Sequence, residues 1–349
     1  MNNPQQPSES RFQSLISRPP RRFSWLIHLA LFLATVFTTT VAGVVWLNQD
    51  QFELRNFAVG LPYSISLLFI LATHEFGHYF AARYHKVETT LPFFIPWPPF
   101  ITLNFGTLGA VIRTRTVVPS KKALFDIGAA GPLAGFVACL IVLAYGFLNL
   151  PEKEYLLRIH PDFDFLTKTI PSVNTVGLAF GDNIILMFFR DVFGRPDQFI
   201  PPMSEVYHYP YLCVGWFGLF VTAMNLIPVG QLDGGHIIYS MFGDKHRNIA
   251  RGSFVGLIVL GLPSTLDSVL RWLAESYYRE PFDQMIPFAD QSWGGWLFWA
   301  GMVFVFVKLY HPPVPDETPL DASRMTAGWL CLLIFVLCFT FVPFQVSIG

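Results

Sequence analysis

The sequence predicts an all-α polytopic membrane protein with six or seven transmembrane helices. Of its 349 residues, 52% are hydrophobic and only 13% are charged, whereas soluble domains carry about 25% charged residues. The apolar residues are gathered in runs close to the ~20 residues that cross a bilayer as a helix. The net charge is −1, so no excess of basic residues indicates a nucleic-acid partner. The lipid bilayer is therefore the expected surrounding.

Seven apolar runs are candidate spans. They are 23–47, 57–82, 123–148, 211–229, 249–262, 293–309 and 327–342. The fifth run is the weakest, because it contains Arg251, stops at Pro263 and is followed by amphipathic sequence. It is compatible with a tilted or broken span, or with a short span followed by an interfacial helix.

These runs divide the chain into four regions. We expect a cytoplasmic polar tail at 1–22, a first span with a short outer loop at 23–56, a catalytic membrane core at 57–240 and C-terminal spans at 241–349. The tail leads into a full-length span, which favours a retained helix over a cleaved signal peptide. Its Arg- and Ser-rich composition also resembles an organelle transit peptide, although the tail is short for one.

The distribution of Lys and Arg predicts the orientation. Basic residues are concentrated in the tail, between the second and third spans, and after the fourth span. All three segments share one side if the N-terminus is cytoplasmic. The outer loop at 150–208 is richer in acids and would lie on the other side. We expect a bacterial plasma membrane, with a chloroplast membrane as the less favoured alternative.

The segment at 91–118 is predicted to be re-entrant or β-structured. Its first ten residues contain four prolines, which exclude a regular helix. Residues 101–118 place Gly106 and Gly109 among β-branched residues and predict a strand or a small membrane-associated β-hairpin. Such a strand can pair with an unwound peptide, and an ordinary surface hairpin is an equally good interpretation.

The second apolar run contains His-Glu-Phe-Gly-His at 74–78. Ionisable groups inside a span are costly and usually mark a functional site. Positions i and i+4 share one face of a helix, so His74 and His78 can bind one metal ion. Glu75 lies beside them, where a general base is needed. The pattern predicts a water-activating metal site within the membrane.

A catalytic zinc takes three protein ligands and leaves a position for water. The third candidate is Asp233, in Asn-Leu-Ile-Pro-Val-Gly-Gln-Leu-Asp-Gly-Gly-His at 225–236, which the predicted orientation brings to the same membrane face as the two histidines. A fourth protein ligand would displace the water, so we expect His236 to support the site from outside the coordination sphere. No partner is identifiable in the sequence for His28, His160, His208, His246 and His311. The four cysteines lie in apolar runs and are expected to be buried and reduced.

These motifs resemble the site-2 protease family of intramembrane zinc metalloproteases. The resemblance includes Phe-Asp-Ile-Gly-Ala-Ala-Gly-Pro-Leu-Ala-Gly at 125–135, and all motifs occur in the family's order between residues 57 and 240. Two features depart from many members. Gly135 stands where many have Asn, which puts a polar role there in doubt, and the chain has no insertion of PDZ-domain size between the third and fourth spans. The chain therefore resembles the PDZ-less bacterial and chloroplast members.

The resemblance implies a set of roles. One zinc ion per chain would be held by His74, His78 and Asp233, with Glu75 as the general base in a three-helix catalytic core. Asn225 would donate a hydrogen bond to the substrate backbone or to the oxyanion. The substrates would be single-span membrane proteins whose transmembrane segment unwinds locally before cleavage.

Other functions were considered against this one. A membrane metalloprotease with a soluble catalytic chamber would need its acidic ligand on a later, soluble helix. A non-proteolytic zinc-binding protein would be expected to lack Glu75, and an ion transporter usually has more acids within its spans and often an internal repeat. The sequence indicates neither the oligomeric state nor the physiological substrate.

Overall fold

The computed structural model describes residues 24–98, 105–165, 176–194, 198–279 and 282–348. Over these ranges the chain is mostly helical, with two small antiparallel sheets. The helices are α1 (Ser24–Trp46), α2 (Phe57–Tyr84), α3 (Lys121–Leu148), α4 (Glu154–Ile159), α5 (Ile184–Phe193), α6 (Pro210–Leu226), α7 (Asp233–Phe242), α8 (His246–Tyr278), α9 (Gly295–Met302) and α10 (Ala322–Cys338). The strands are β1 (Phe93–Pro96), β2 (Thr107–Val111), β3 (Val176–Phe180) and β4 (Phe344–Ile348). The predicted tail at 1–22 lies outside the described residues.

Four helical stretches are long and apolar enough to cross a membrane. They are Trp25–Trp46, Leu54–Tyr84, Lys121–Leu148 and Asp233–Tyr278. Three further apolar helices are shorter, at Pro210–Leu226, Gly295–Val307 and Ala322–Cys338. The described helices therefore include four candidate spans, and a total of six or seven stays a prediction.

The first two helices pack closely because small residues face each other. A Cβ atom added at Gly60 of α2 would lie 2.1 Å from the carbonyl oxygen of Thr40 in α1. The hydroxyls of Thr39 and Ser64 lie 2.6 Å apart across the same interface. Helices in lipid associate through such small residues and interhelical hydrogen bonds. Next to this pair, α2 packs on α3, and α3 packs on α6.

The core is apolar and aromatic, with polar groups satisfied at its edges. Trp216 and Trp296 are fully buried. The indole N–H of Trp216 donates to the carbonyl of Gly181 at 2.7 Å, and that of Trp296 donates to the carbonyl of Phe341 at 2.7 Å. All four cysteines are buried and free, which confirms the expectation from their apolar surroundings.

The fifth apolar run and the amphipathic sequence after it form one helix, because α8 continues through Pro263 to Tyr278. A break at Pro263, one of the alternatives expected from the sequence, is therefore not observed. In a regular helix the N–H of Ser264 would donate to the carbonyl of Leu260. The Ser292 hydroxyl lies between these two groups instead. It accepts from the N–H of Ser264 at 3.1 Å and donates to the carbonyl of Leu260 at 2.7 Å. A side chain that satisfies freed backbone groups allows a helix to tolerate proline at membrane depth.

The predicted β-structure in 91–118 is present, and its first strand lies inside the proline-rich segment. β1 pairs antiparallel with β2, with Phe93 opposite Val111. Proline fits there because Pro96 is the last residue of the strand. Residues 99–104, which include parts of both predicted segments, lie outside the described residues. Association of this hairpin with the membrane remains a prediction.

The second sheet was not predicted, so the fold is not purely α-helical. β3, from the outer loop, pairs along its whole length with the C-terminal strand β4. Each strand is short and separated from its partner by more than 160 residues, so neither carries a hairpin signal. The next helix, α5, is capped by Asn183, whose side chain accepts from the N–H of Leu186 at 2.9 Å.

We expect Gly60→Ala to destabilise the protein, because the new methyl group would collide with the backbone of α1. Overpacking of this kind costs about 1–3 kcal/mol. Thermal unfolding of the detergent-solubilised chain measures the loss. The control is Gly301→Ala, since a Cβ there meets nothing within 4 Å. Equal melting temperatures for the two variants would contradict the packing described.

Candidate metal centre

Helix α2 brings the two predicted histidine ligands together. His74 and His78 are one turn apart, and both are 7% exposed. Their Nε2 atoms lie 3.0 Å from each other. The apolar helix therefore presents two imidazole nitrogens at one buried point.

Asp233 reaches the same point from a different helix. It is the first residue of α7, and its Oδ2 atom lies 3.4 Å from the Nε2 atom of each histidine. The turn between α6 and α7 is tight enough that Gly230 has φ +56° and lies against the backbone of Lys308. A Cβ atom at Gly234 would lie 2.1 Å from the carbonyl oxygen of Leu226. Glycine at these positions lets α7 begin directly beside the end of α6.

The donor atoms of this triad fit a zinc ion. Atoms that each lie ~2.0–2.2 Å from a tetrahedral zinc are ~3.2–3.6 Å apart, close to the separations found between His74, His78 and Asp233. The Nδ1–H of His78 donates to the carbonyl of Ile127 at 2.6 Å. That bond orients the ring and leaves Nε2 unprotonated, as a metal ligand must be. Two nitrogens and one carboxylate oxygen leave a fourth position for water.

Glycines of α3 make room for the imidazole rings. A Cβ at Gly131 would lie 2.1 Å from Nε2 of His78, and one at Gly135 would lie 3.1 Å from Nδ1 of His74. These glycines therefore let α3 pack closely against the two imidazole rings. The sequence did not identify the histidines as the groups packed there. Because position 135 is glycine, it has no side chain for a polar role.

Glu75 and Asn225 also lie at this site. Glu75 is 7% exposed, and its carboxylate accepts a hydrogen bond from the backbone of Ile112, which follows β2. Asn225 lies in the last turn of α6, with Nδ2 3.4 Å from Nε2 of His74. The structure thus brings a carboxylate and an amide beside the triad. Their chemical roles, like those of the ligands, remain predictions.

The ring of His236 packs edge-on against His311, with centroids 4.9 Å apart. Its Nδ1 atom is buried and has no hydrogen-bond partner within the part of the chain that the structure describes. No pattern in the sequence predicts this contact, because 75 positions separate the two histidines. A supporting role for His236 toward a ligand stays a prediction.

The third sequence motif also contributes a polar contact that was missed. Asp126, inside that motif, accepts from Nε2 of His85 at 2.7 Å and from Arg324 of α10 at 2.7 Å. This network ties the end of α2 to α3 and to α10. No sequence spacing indicates it, because the three residues come from three distant helices.

The site has the ligand set of a catalytic zinc centre, and comparison with known families identifies a peptidase family. The family model described as Peptidase family M50 matches residues 62–261, a range that contains all the predicted site residues. The chain belongs to this family, the site-2 protease family.

Several curated relatives are named as probable zinc metalloproteases. The chain is 30% identical over 272 residues to "Probable zinc metalloprotease EGY1, chloroplastic" of Oryza sativa subsp. japonica, covering 71% of this chain and 44% of that protein. It is 31% identical to the Arabidopsis thaliana protein of that name, covering 71% and 46%. The identity to EGY2 of Oryza sativa subsp. indica is 25%, covering 86% and 52%.

The matched region is therefore about half the length of these relatives. Their names place them in the chloroplast, which does not favour the bacterial plasma membrane expected from the sequence. No solved structure matches the chain.

We expect Gly131→Ala to lower zinc binding, because its methyl group would occupy the space of the His78 ring. The purified variant should contain much less zinc than the wild type, as metal analysis will show. Gly252→Ala, also within a helix, is the control, since its Cβ meets nothing within 4 Å. Full zinc content in Gly131→Ala would show that the His78 ring does not occupy this space in the metal-bound protein.

Proposed function

We propose that the chain is a zinc metalloprotease that cleaves transmembrane segments of other membrane proteins. The observation that carries the proposal is the place of the metal-binding triad. Two of its three residues lie on α2, a helix long and apolar enough to span a bilayer, and both are buried. A peptidase whose water-activating site lies among such helices is suited to substrates that are themselves in the membrane.

The depth and side of the site follow from α2 and from charge. His78 lies six residues before the end of α2, or ~9 Å along the helix axis. The segment that follows α2 is basic, which supports placing this end toward the side of the N-terminal tail. Water and an unwound peptide would then have to travel only a short distance into the membrane.

The proposed mechanism assigns one role to each polar residue. His74, His78 and Asp233 would hold one zinc ion. The ion would supply a coordinated water with a pKa of ~7 and would polarise the scissile carbonyl. Glu75 accepts the proton of the attacking water and delivers it to the leaving amine. The hydrogen bond from the backbone of Ile112 places this carboxylate beside the residue that follows β2.

Asn225 and β2 are the proposed contacts to the substrate backbone. The Asn225 amide lies beside His74 and can donate to the developing oxyanion. Among the described strands, β2 pairs with β1 alone, so an extended peptide can add to its second edge. The link from β2 to Glu75 through Ile112 would set the scissile bond near the base.

The alternatives are a non-proteolytic membrane zinc-binding protein and an ion transporter. Membership of peptidase family M50 supports proteolysis, and so does a buried carboxylate next to the ligands. Single-span membrane proteins are the proposed substrates.

Glu75→Gln should abolish cleavage, because an amide cannot accept the proton of the attacking water. Zinc should be retained, because residue 75 is not one of the proposed ligands. Losing a general base costs about 10²–10⁴-fold in rate. The measurement maps new protein termini in membranes from cells that carry the wild type or the variant, alongside the zinc content of each. Glu152→Gln, on the exposed outer loop, is the matched control. Unchanged cleavage with zinc bound would refute the mechanism.

Asn225→Ala should slow cleavage by about 10²–10³-fold, the usual cost of removing one donor to an oxyanion. We expect the rate at saturating substrate to fall more than the apparent affinity, because the bond forms in the transition state. Zinc content serves as the internal control. If zinc is lost together with activity, Asn225 positions His74 and does not contact the substrate.

A further inference from the structure

A second cluster of potential metal ligands lies at the other end of α6. His160 follows α4. Glu205 precedes the short 3₁₀ turn Val206–His208 that leads into α6, and His208 is the last residue of that turn. Nε2 of His160 lies 2.9 Å from Nε2 of His208 and 3.5 Å from Oε2 of Glu205. Nε2 of His208 lies 3.8 Å from the same carboxylate oxygen. Three donor atoms therefore point at one position.

This geometry closely resembles that of the triad already described. There, two Nε2 atoms lie 3.0 Å apart, and a carboxylate oxygen lies 3.4 Å from each. The separations in the two sets run from 2.9 to 3.8 Å and bracket the ~3.2–3.6 Å expected between ligands of one tetrahedral zinc. Since α6 has 17 residues and separates the two sites, they are ~25 Å apart along its axis. The second cluster is not part of the first site.

One histidine of the cluster is held in the state that a metal requires. The Nδ1–H of His208 donates to the carbonyl of Trp46 at 2.7 Å, at the end of α1. This bond leaves Nε2 as the unprotonated atom facing Glu205. The carbonyl of His208 in turn accepts from the Tyr155 hydroxyl at 2.7 Å. The ring is therefore held through Nδ1 and the backbone of His208 through its carbonyl.

The buried carboxylate of Glu205 has an oxygen without a hydrogen-bond partner among the described residues. Glu205 is 3% exposed, and this oxygen is its Oε2 atom. A hydrogen bond between the two histidines would account for their contact but would leave this oxygen unpaired. An unpaired buried carboxylate is strongly unfavourable. A divalent cation at the point of convergence satisfies all three groups together.

We propose that His160, Glu205 and His208 form a second metal site, which takes a divalent cation of the zinc class. Two imidazoles and one carboxylate are ligands that zinc accepts readily. The His160 side chain is 21% exposed, which gives the ion a route from solvent. The site joins the outer loop to the start of α6 and, through Trp46, to the end of α1. Its role is to fasten the outer loop, and it does not depend on the proposed cleavage reaction.

The test compares chains that differ at position 160, with one control elsewhere in the same loop. The first site is removed in all of them by His74→Asn together with His78→Asn, so that zinc bound there does not enter the count. After dialysis against micromolar Zn²⁺, this background should retain one equivalent of zinc. Adding His160→Asn should remove it, whereas His160→Cys should restore it because a thiolate is also a zinc ligand. Glu152→Gln, an exposed change in the same loop, is the control and should leave the bound zinc in place.

Folding is monitored by size-exclusion chromatography and thermal unfolding with and without Zn²⁺. A bound ion should raise the melting temperature of the background and of the His160→Cys chain, but not that of the His160→Asn chain. A background that binds no zinc overturns the proposal. So does a bound equivalent that persists in His160→Asn. Neither result bears on cleavage, which is measured in chains that retain the first site.

Discussion

Burial of two imidazoles and a carboxylate among apolar helices is the constraint on which the rest of the structure depends. Each group alone would be unfavourable there, since an unpaired buried charge costs several kcal/mol. Together, His74, His78 and Asp233 compensate one another and create a point suited to a cation. This requires α2 and the start of α7 to meet within hydrogen-bonding range. The packing around the site can be understood from that requirement.

The meeting of the helices is made possible by missing side chains. Gly131 lets α3 lie against the His78 ring, and Gly234 lets α7 begin against the end of α6. Elsewhere in the molecule, irregular backbone around prolines is accommodated by small local features. Ser292 joins the backbone groups that flank Pro263, and the proline-rich segment ends its strand at Pro96. Polar backbone inside the apolar region is thereby satisfied without bulky side chains.

The outer loop is tied to the helices by long-range contacts. β3 pairs with the C-terminal β4, Trp216 donates to Gly181, and the cluster around Glu205 connects the loop to α1 and α6. These contacts hold the start of α6, whereas Asn225 near its end lies at the metal centre. The metal-binding motif of family M50 lies at one end of this helix, and the proposed second metal site lies at the other.

The sequence by itself was enough to predict the candidate metal ligands and most of the helices. Spacing of four places His74 and His78 on one face of any helix, and apolar runs of sufficient length form helices wherever they lie. Only the tertiary structure decided which residues meet across the fold. In the structure, Ser292, 29 positions from Pro263, bonds the backbone groups of α8 beside that proline. Strand β3 pairs with β4, and His160 lies beside Glu205 and His208. Such contacts join positions far apart in the chain, and local periodicity carries no information about them because it reports only on neighbours within a few residues.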